Sequence, residues 1–144
     1  MTINYSSGND IIIPTNNTTY RGLKGDDIYV ISKAIPSDTS LTIVDTEGKN
    51  TIQLADGLEI SSTKFSSSAF QITLSNGAII NISAADKNSY EIGGNITGGI
   101  RVDQKNYLEF SKLFGIQTFP KTGALSGDTN IVIKETSLGS NNID

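Results

Sequence analysis

"GLKGDDIYV", residues 22–30, sets two glycines and two adjacent aspartates in front of a short run of Ile, Tyr and Val. One Gly, Asn or Asp is enough to bring a β-turn to positive φ, so the second carboxylate asks for another reason. A stretch of the same grammar, "YSSGNDIII" at residues 5–13, lies just upstream. Aligned on their central glycines, Gly8-Asn9-Asp10 leads into Ile11-Ile12-Ile13, and Gly25-Asp26-Asp27 leads into Ile28-Tyr29-Val30. Two such loops suggest a repeat, and a repeat that carries carboxylates suggests a cation.

Outward from these loops the pattern is that of short strands. "DIII" (10–13), "DIYVIS" (27–32), "SLTIVD" (40–45) and "NTIQLA" (50–55) are rich in Ile, Val, Thr or Tyr, and mostly separated by Gly, Asn, Asp or Pro. In "FQITLSNGAIINIS" (70–83) Phe70, Ile72 and Leu74 alternate with Gln71 and Thr73, and Asn76-Gly77 supplies a turn, which predicts a β-hairpin. "GGNITGG" (93–99) reads as a connection. The segment 103–116 predicts the one helix, with Asp103 as N-cap, Tyr107, Phe110, Leu113 and Phe114 on one face, and Gly115 just past the end. "TNIVIKE" (129–135) predicts a last strand, and 137–144 a tail or linker. The expected class is all-β: one module over 1–136, with repeats over 1–60, a hairpin region over 66–100 and a capping helix. Its strands would stack as a short β-roll, a β-solenoid or a sandwich.

Composition narrows the chemistry. The chain has 144 residues, a net charge of −4, and neither Cys nor His. Zinc sites built on thiolate or imidazole, and nucleophilic triads with a His base, are thereby excluded. Hard cations bound by oxygen remain open. Scattered basic residues on an acidic chain argue against a nucleic-acid partner. No apolar run approaches the length of a membrane span, so membrane insertion by a helix is not expected. "MTINYSSGND" has no basic segment followed by an apolar stretch. That leaves a cytoplasmic chain, export by a route needing no N-terminal signal, or a piece of a larger protein, and the last is the expectation.

The two opening loops resemble the glycine-aspartate nonapeptide of repeats-in-toxin (RTX) proteins, G-G-x-G-x-D-x-U-x with U a large apolar residue. The downstream copy has Gly22, Gly25 and Asp27 in place but Leu23 at the second glycine, and the upstream copy has Tyr5 and Ser6 where glycines belong. In an RTX β-roll two nonapeptides make one coil of about eighteen residues, and Gly8 to Gly25 is seventeen positions. The resemblance implies loops stacked on one edge, with Asp10 and Asp27 converging on Ca²⁺. Asp26 and Asn9 would stand nearby, and Gly8, Gly22 and Gly25 would shape the site. It also implies an exported or cell-surface bacterial protein, secreted by a type I system, with a structural or adhesive role. A third echo, "DTEGKN" (45–50), offers Asp45 and Glu47 as oxygen donors, but Gly48 follows Gly25 by twenty-three residues. That break in spacing makes an ordinary turn the expected reading there.

Three other functions fit parts of the sequence. Exposed tyrosines (Tyr5, Tyr20, Tyr29, Tyr90) could stack on a glycan. Open ends of a roll could pair between neighbouring subunits of a surface layer. A carboxylate-based hydrolase could use Asp45 with Glu47 on one strand face, or Glu91, although no second carboxylate is placed at a working distance. No catalytic residue is expected.

Overall fold

Short runs of β-branched residues do become strands, and how they pair is decided by what joins them. The computed structural model describes residues 2–4, 11–15, 17–21, 25–55, 57–92, 105–134 and 137–140. In chain order the strands are β1 (Thr2–Asn4), β2 (Ile11–Ile12), β3 (Thr19–Arg21), β4 (Ile28–Ile31), β5 (Ser40–Val44), β6 (Asn50–Leu54), β7 (Glu59–Phe65), β8 (Ala69–Leu74), β9 (Ile79–Ser83) and β10 (Asn88–Ile92). A helix, α1 (Tyr107–Lys112), precedes β11 (Leu125–Ser126), β12 (Ile131–Lys134) and β13 (Ser137–Ser140). The protein is mainly β. Among the described residues no helix is long and apolar enough to cross a membrane.

Thirteen strands form two sheets among the described residues. Sheet A runs β1-β3-β5-β9-β8-β7-β12-β13, with β11 also on β7, and sheet B runs β10-β6-β4-β2. Parallel neighbours need a crossover rather than a tight turn. Here each crossover contains a strand of the other sheet, so β1 to β6 alternate between A and B and every pairing among them is parallel. The seventeen-residue step expected from Gly8 and Gly25 appears in both sheets, Thr2 opposing Thr19 and Ile11 opposing Ile28.

The path from sheet A to sheet B varies by no more than one residue. Nine residues separate Thr2 from Ile11, Thr19 from Ile28 and Thr42 from Thr51, and eight separate Asn81 from Ser89. The return path absorbs all the variation: eight residues from Ile11 to Thr19, fourteen from Ile28 to Thr42, thirty from Thr51 to Asn81. The longest return contains β7 and β8. The expected hairpin forms, with Gly77 at φ 98° and Thr73 opposite Ile79. It does not follow the repeats as a separate region, because β9 pairs with β8 on one side and, in parallel, with β5 on the other. Residues 137–140, expected as tail, form β13 against β12.

Alternation sets the core. Tyr20, Ile43, Ile82, Phe70 and Phe65 make one cross-strand row on the inner face of sheet A, and Ile12, Tyr29, Ile52 and Tyr90 make another on sheet B; all are buried. Sheet B is buried on its outer side as well at Val30, Gln53 and Glu91, as parallel strands commonly are.

The helix is shorter than expected and starts later. Its N-cap is Asn106, and Asp103 lies outside the described residues. Asn106 accepts from Glu109 N at 2.8 Å, while Glu109 Oε1 accepts from Asn106 N at 2.9 Å. This reciprocal box satisfies a donor on each side of the first turn. Gly115, at φ 88°, ends the helical turn as expected. Phe110 stacks on Tyr90 at 4.4 Å between ring centroids and meets Phe114 at 5.1 Å. The Tyr107 hydroxyl donates into the pair of carbonyls Ser66 O (2.7 Å) and Ala69 O (2.8 Å). Lys105 exchanges two 2.8 Å backbone bonds with Tyr90 beside the helix, covering that part of the β10 edge.

Burial pushes the phenols of Tyr90 and Tyr107 well above their ordinary value, and for Tyr107 the nearby Asp86 adds to the effect. Both stay protonated in the fold at a pH where an unfolded tyrosine, near pKa ~10, already ionises. Above that pH the native state holds more protons than the unfolded state, so stability is full below pH ~10 and falls as pH rises past it. Urea unfolding at pH 8 and pH 10.5 should show this loss. Tyr107→Phe should cost about 1 kcal/mol at pH 8 through its hydrogen bond and make the alkaline decline shallower.

Candidate functional site

The turn from β3 into β4 contains three of the residues singled out by sequence. Gly25 reverses the chain at φ 98°, Asp26 is exposed, and Asp27 is completely buried one residue before β4. Gly8, Asn9, Asp10 and Gly22 lie outside the described residues, and so does the expected meeting of Asp10 with Asp27. The described strands around them pair with Ile11 opposite Ile28 and Ile12 opposite Tyr29.

The turn that Gly25-Asp26-Asp27 meets is the third echo, read from spacing as an ordinary turn. Asp26 Oδ1 accepts from Lys49 N at 2.9 Å, Asn50 Oδ1 accepts from Asp27 N at 2.9 Å, and Thr51 N donates to Asp27 O at 2.9 Å. Gly48, at φ 78°, rests on the Gly25 carbonyl so closely that any Cβ there would collide with it. Gly48-Lys49-Asn50 is therefore the next layer on Gly25-Asp26-Asp27. The six additional residues of that pass lie entirely on the opposite edge, between Ile28 and Thr42. Counting from strand to strand finds the equivalence, whereas counting from glycine to glycine hides it. The column continues to Asn88, buried opposite Asn50. There the path is one residue shorter and a 3₁₀ turn (Ala85–Lys87), entered through Ala84 at φ 53°, replaces the glycine turn.

Asp45 is a further buried carboxylate on this edge. Its Oδ2 accepts from the Tyr29 hydroxyl at 2.8 Å and its Oδ1 from Glu47 N at 3.2 Å. A buried carboxylate needs such donors to offset its lost hydration, and the bond joins the inner row of sheet B to the turn. The pairing of Asp45 with Glu47 on one strand face is corrected by the structure. β5 ends at Val44, and Asp45 turns inward while Glu47 stays exposed. Glu91 is buried on β10. The tyrosine platform for sugars is also corrected: Tyr20, Tyr29 and Tyr90 are at most 1% exposed and belong to the core, and Tyr5 lies outside the described residues.

Electrostatically the edge is a ladder of hard oxygen and amide groups: Asp26 and Asp27 in one layer, Asp45, Glu47 and Asn50 in the next. Among the described residues no three acidic side chains converge as a metal cluster would. A cation bound to the described layers would draw much of its coordination from backbone carbonyls, which Ca²⁺ accepts readily.

Asn50→Ala strips the buried Asp27 N–H of its acceptor and should cost about 2 kcal/mol. Gly48→Ala should cost roughly 3 kcal/mol or more, from a left-handed backbone and the collision with Gly25. Asp26→Ala, at an exposed bond, should stay within about 1 kcal/mol. Denaturant unfolding of the three variants checks that order. No protein-family model, no curated protein and no solved structure matches this chain.

Proposed function

We propose that this chain is a calcium-binding β-roll module of the RTX kind, part of an exported or cell-surface protein, with structural or adhesive work rather than catalysis. The observation that carries the reading is the fully buried Asp27 carboxylate, held in a glycine turn that is repeated in register by Gly48-Lys49-Asn50. Sinking a carboxylate into a packed turn is costly unless charge and hydrogen bonds compensate it. A divalent cation between layers is a chemically matched compensation.

Two further features support it. The nine-residue path between sheets equals one RTX nonapeptide, and it recurs three times while the other edge varies freely. The donors on the edge are hard oxygens, the type that Ca²⁺ selects. Asp27 would bind the ion together with Asp10 from the preceding loop, with Asp26 and Asn9 beside them. Gly8, Gly22 and Gly25 would let the carbonyls approach. The ion would supply positive charge between stacked carboxylates, so that binding and folding are one event. Calcium is scarce in cytoplasm and abundant outside, which would delay folding until after export.

Thermal unfolding after EDTA treatment, with Ca²⁺ returned against a Mg²⁺ control, tests this. At a hundredfold excess over Kd, Ca²⁺ should add about 2.7 kcal/mol and raise Tm by roughly 10 °C. Asp27→Asn, which keeps the shape and removes the charge, should lose most of that rise. Equal melting of the wild type with and without Ca²⁺ overturns the calcium site and leaves a structural β-roll.

A further inference from the structure

The outward face of sheet A carries a polar row on the opposite side of the strands from the core. Thr19 opposes Thr42, Thr42 opposes Asn81, Asn81 opposes Gln71, and Gln71 opposes Lys64. Five strands at ~4.8 Å spacing give a regular track about 19 Å long. Each of these residues precedes or follows a buried one, so all five point away from the core.

The two amides at the centre are pre-positioned. Gln71 Nε2 donates to Asn81 Oδ1 at 2.9 Å, and Asn81 Nδ2 donates to Leu41 O at 3.3 Å. Among the described residues, Gln71 Oε1 and the second Nε2 hydrogen are left for a ligand. At the Lys64 end the row opens into a cleft of about 350 Å³, walled by Ser66, Ser83 and Ala124. Among the described residues no carboxylate lines it.

Charge identifies the occupant. The chain carries a net charge of −4, yet the row contains no acidic residue, and neither does the adjacent outward row Val44–Ser83–Ala69. Lys64 is exposed at one end, and Arg21, two residues beyond Thr19, is exposed at the other. Two separated cations are too few for a nucleic-acid backbone, which needs many. They suit a polymer that is mostly hydroxyl and only partly anionic, with donors and acceptors at regular intervals.

We propose that this row binds an acidic oligosaccharide, a uronate-containing chain lying across β3, β5, β9, β8 and β7 with one carboxylate on Lys64. Hydrogen bonds to the Gln71–Asn81 pair and the threonines carry recognition, in place of ring stacking on tyrosine. The row lies on a sheet face and the calcium reading concerns the turn edge, so the inference stands independently of it.

The probe is a galacturonate hexamer, with an uncharged glucose hexamer as control, titrated in EDTA so that calcium bridging is absent. Side-chain amide NMR signals of Gln71 and Asn81 report the site. The galacturonate should move both signals, bind more weakly as salt is raised, and bind at least about tenfold more weakly to Lys64→Glu, at unchanged Tm. Gln71→Ala should weaken it without changing the salt dependence. No binding, equal binding of the neutral hexamer, or unchanged affinity in Lys64→Glu overturns the proposal. A chain that shows no calcium response in melting but still shifts these amides supports it while removing only the calcium reading.

Discussion

Everything in this fold depends on one repeated path: the chain must leave sheet A and enter sheet B in register on each pass. Side chains in a strand alternate faces, so a one-residue slip would turn a buried row outward. The nine-residue passage from Thr42 to Thr51 meets that demand with a turn that stacks on Gly25-Asp26-Asp27. Glycine permits the left-handed backbone at Gly25 and Gly48, and the Asn50 amide reaches down to the Asp27 N–H. Where the path shortens to eight residues before Ser89, the adjustment is made inside the turn, by Ala84 and the 3₁₀ segment, and the strands stay in register. The opposite edge is free of this constraint. It accommodates loops of different length and even the antiparallel excursion of β7 and β8.

That excursion changes the character of the molecule. Alternating parallel passes leave a sheet edge at each end, a hazard for uncontrolled pairing. Here β9 passes its outer edge to β8, β8 to β7, and β7 to β11 and β12, so sheet A continues as an antiparallel array beyond the parallel passes. The aromatic cluster then ties the array to sheet B. Phe65 and Phe70 come from the hairpin side, Tyr90 from β10, and Tyr107, Phe110 and Phe114 from the helical turn. Aromatic pairs contribute beyond their buried area by about 0.5–1.5 kcal/mol each, which gives a six-residue helix its anchorage. Isolated, so short a helix would not persist.

The same layout separates two kinds of surface. The turn edge concentrates carboxylates and amides in layers, and its buried members, Asp27 and Asp45, face charge-desolvation costs that only donors or a cation can offset. On the outer face of sheet A the row Thr19–Thr42–Asn81–Gln71 is uncharged, with Arg21 and Lys64 toward its ends. The proposed calcium ion would become part of the fold at the first surface, and the proposed oligosaccharide would leave the fold unchanged at the second.

The all-β class, the strands around residues 28–31, 40–44 and 50–54, the hairpin at Asn76-Gly77 and the seventeen-residue step were legible in the sequence, because strand periodicity and turn chemistry are local properties. The turn at Gly25, two residues before Asp27, was legible too. Local pattern could not reveal that Gly48-Lys49-Asn50 stacks on Gly25-Asp26-Asp27, since the twenty-three-residue spacing depends on where the extra residues go. Nor could it find β7 or β10, whose Ser, Thr, Asn and Glu residues gain strand structure from neighbours already in place. Likewise "VDQKN" offered an earlier helix start, and the capping box at Asn106 and Glu109 chose a later one. The amino-acid sequence alone determined that short strands would form and where glycine turns such as those at Gly25 and Gly77 would reverse the chain. Only the tertiary structure decided which turns share a layer, because parallel pairing joins residues by register across space and takes no account of the length of chain between them.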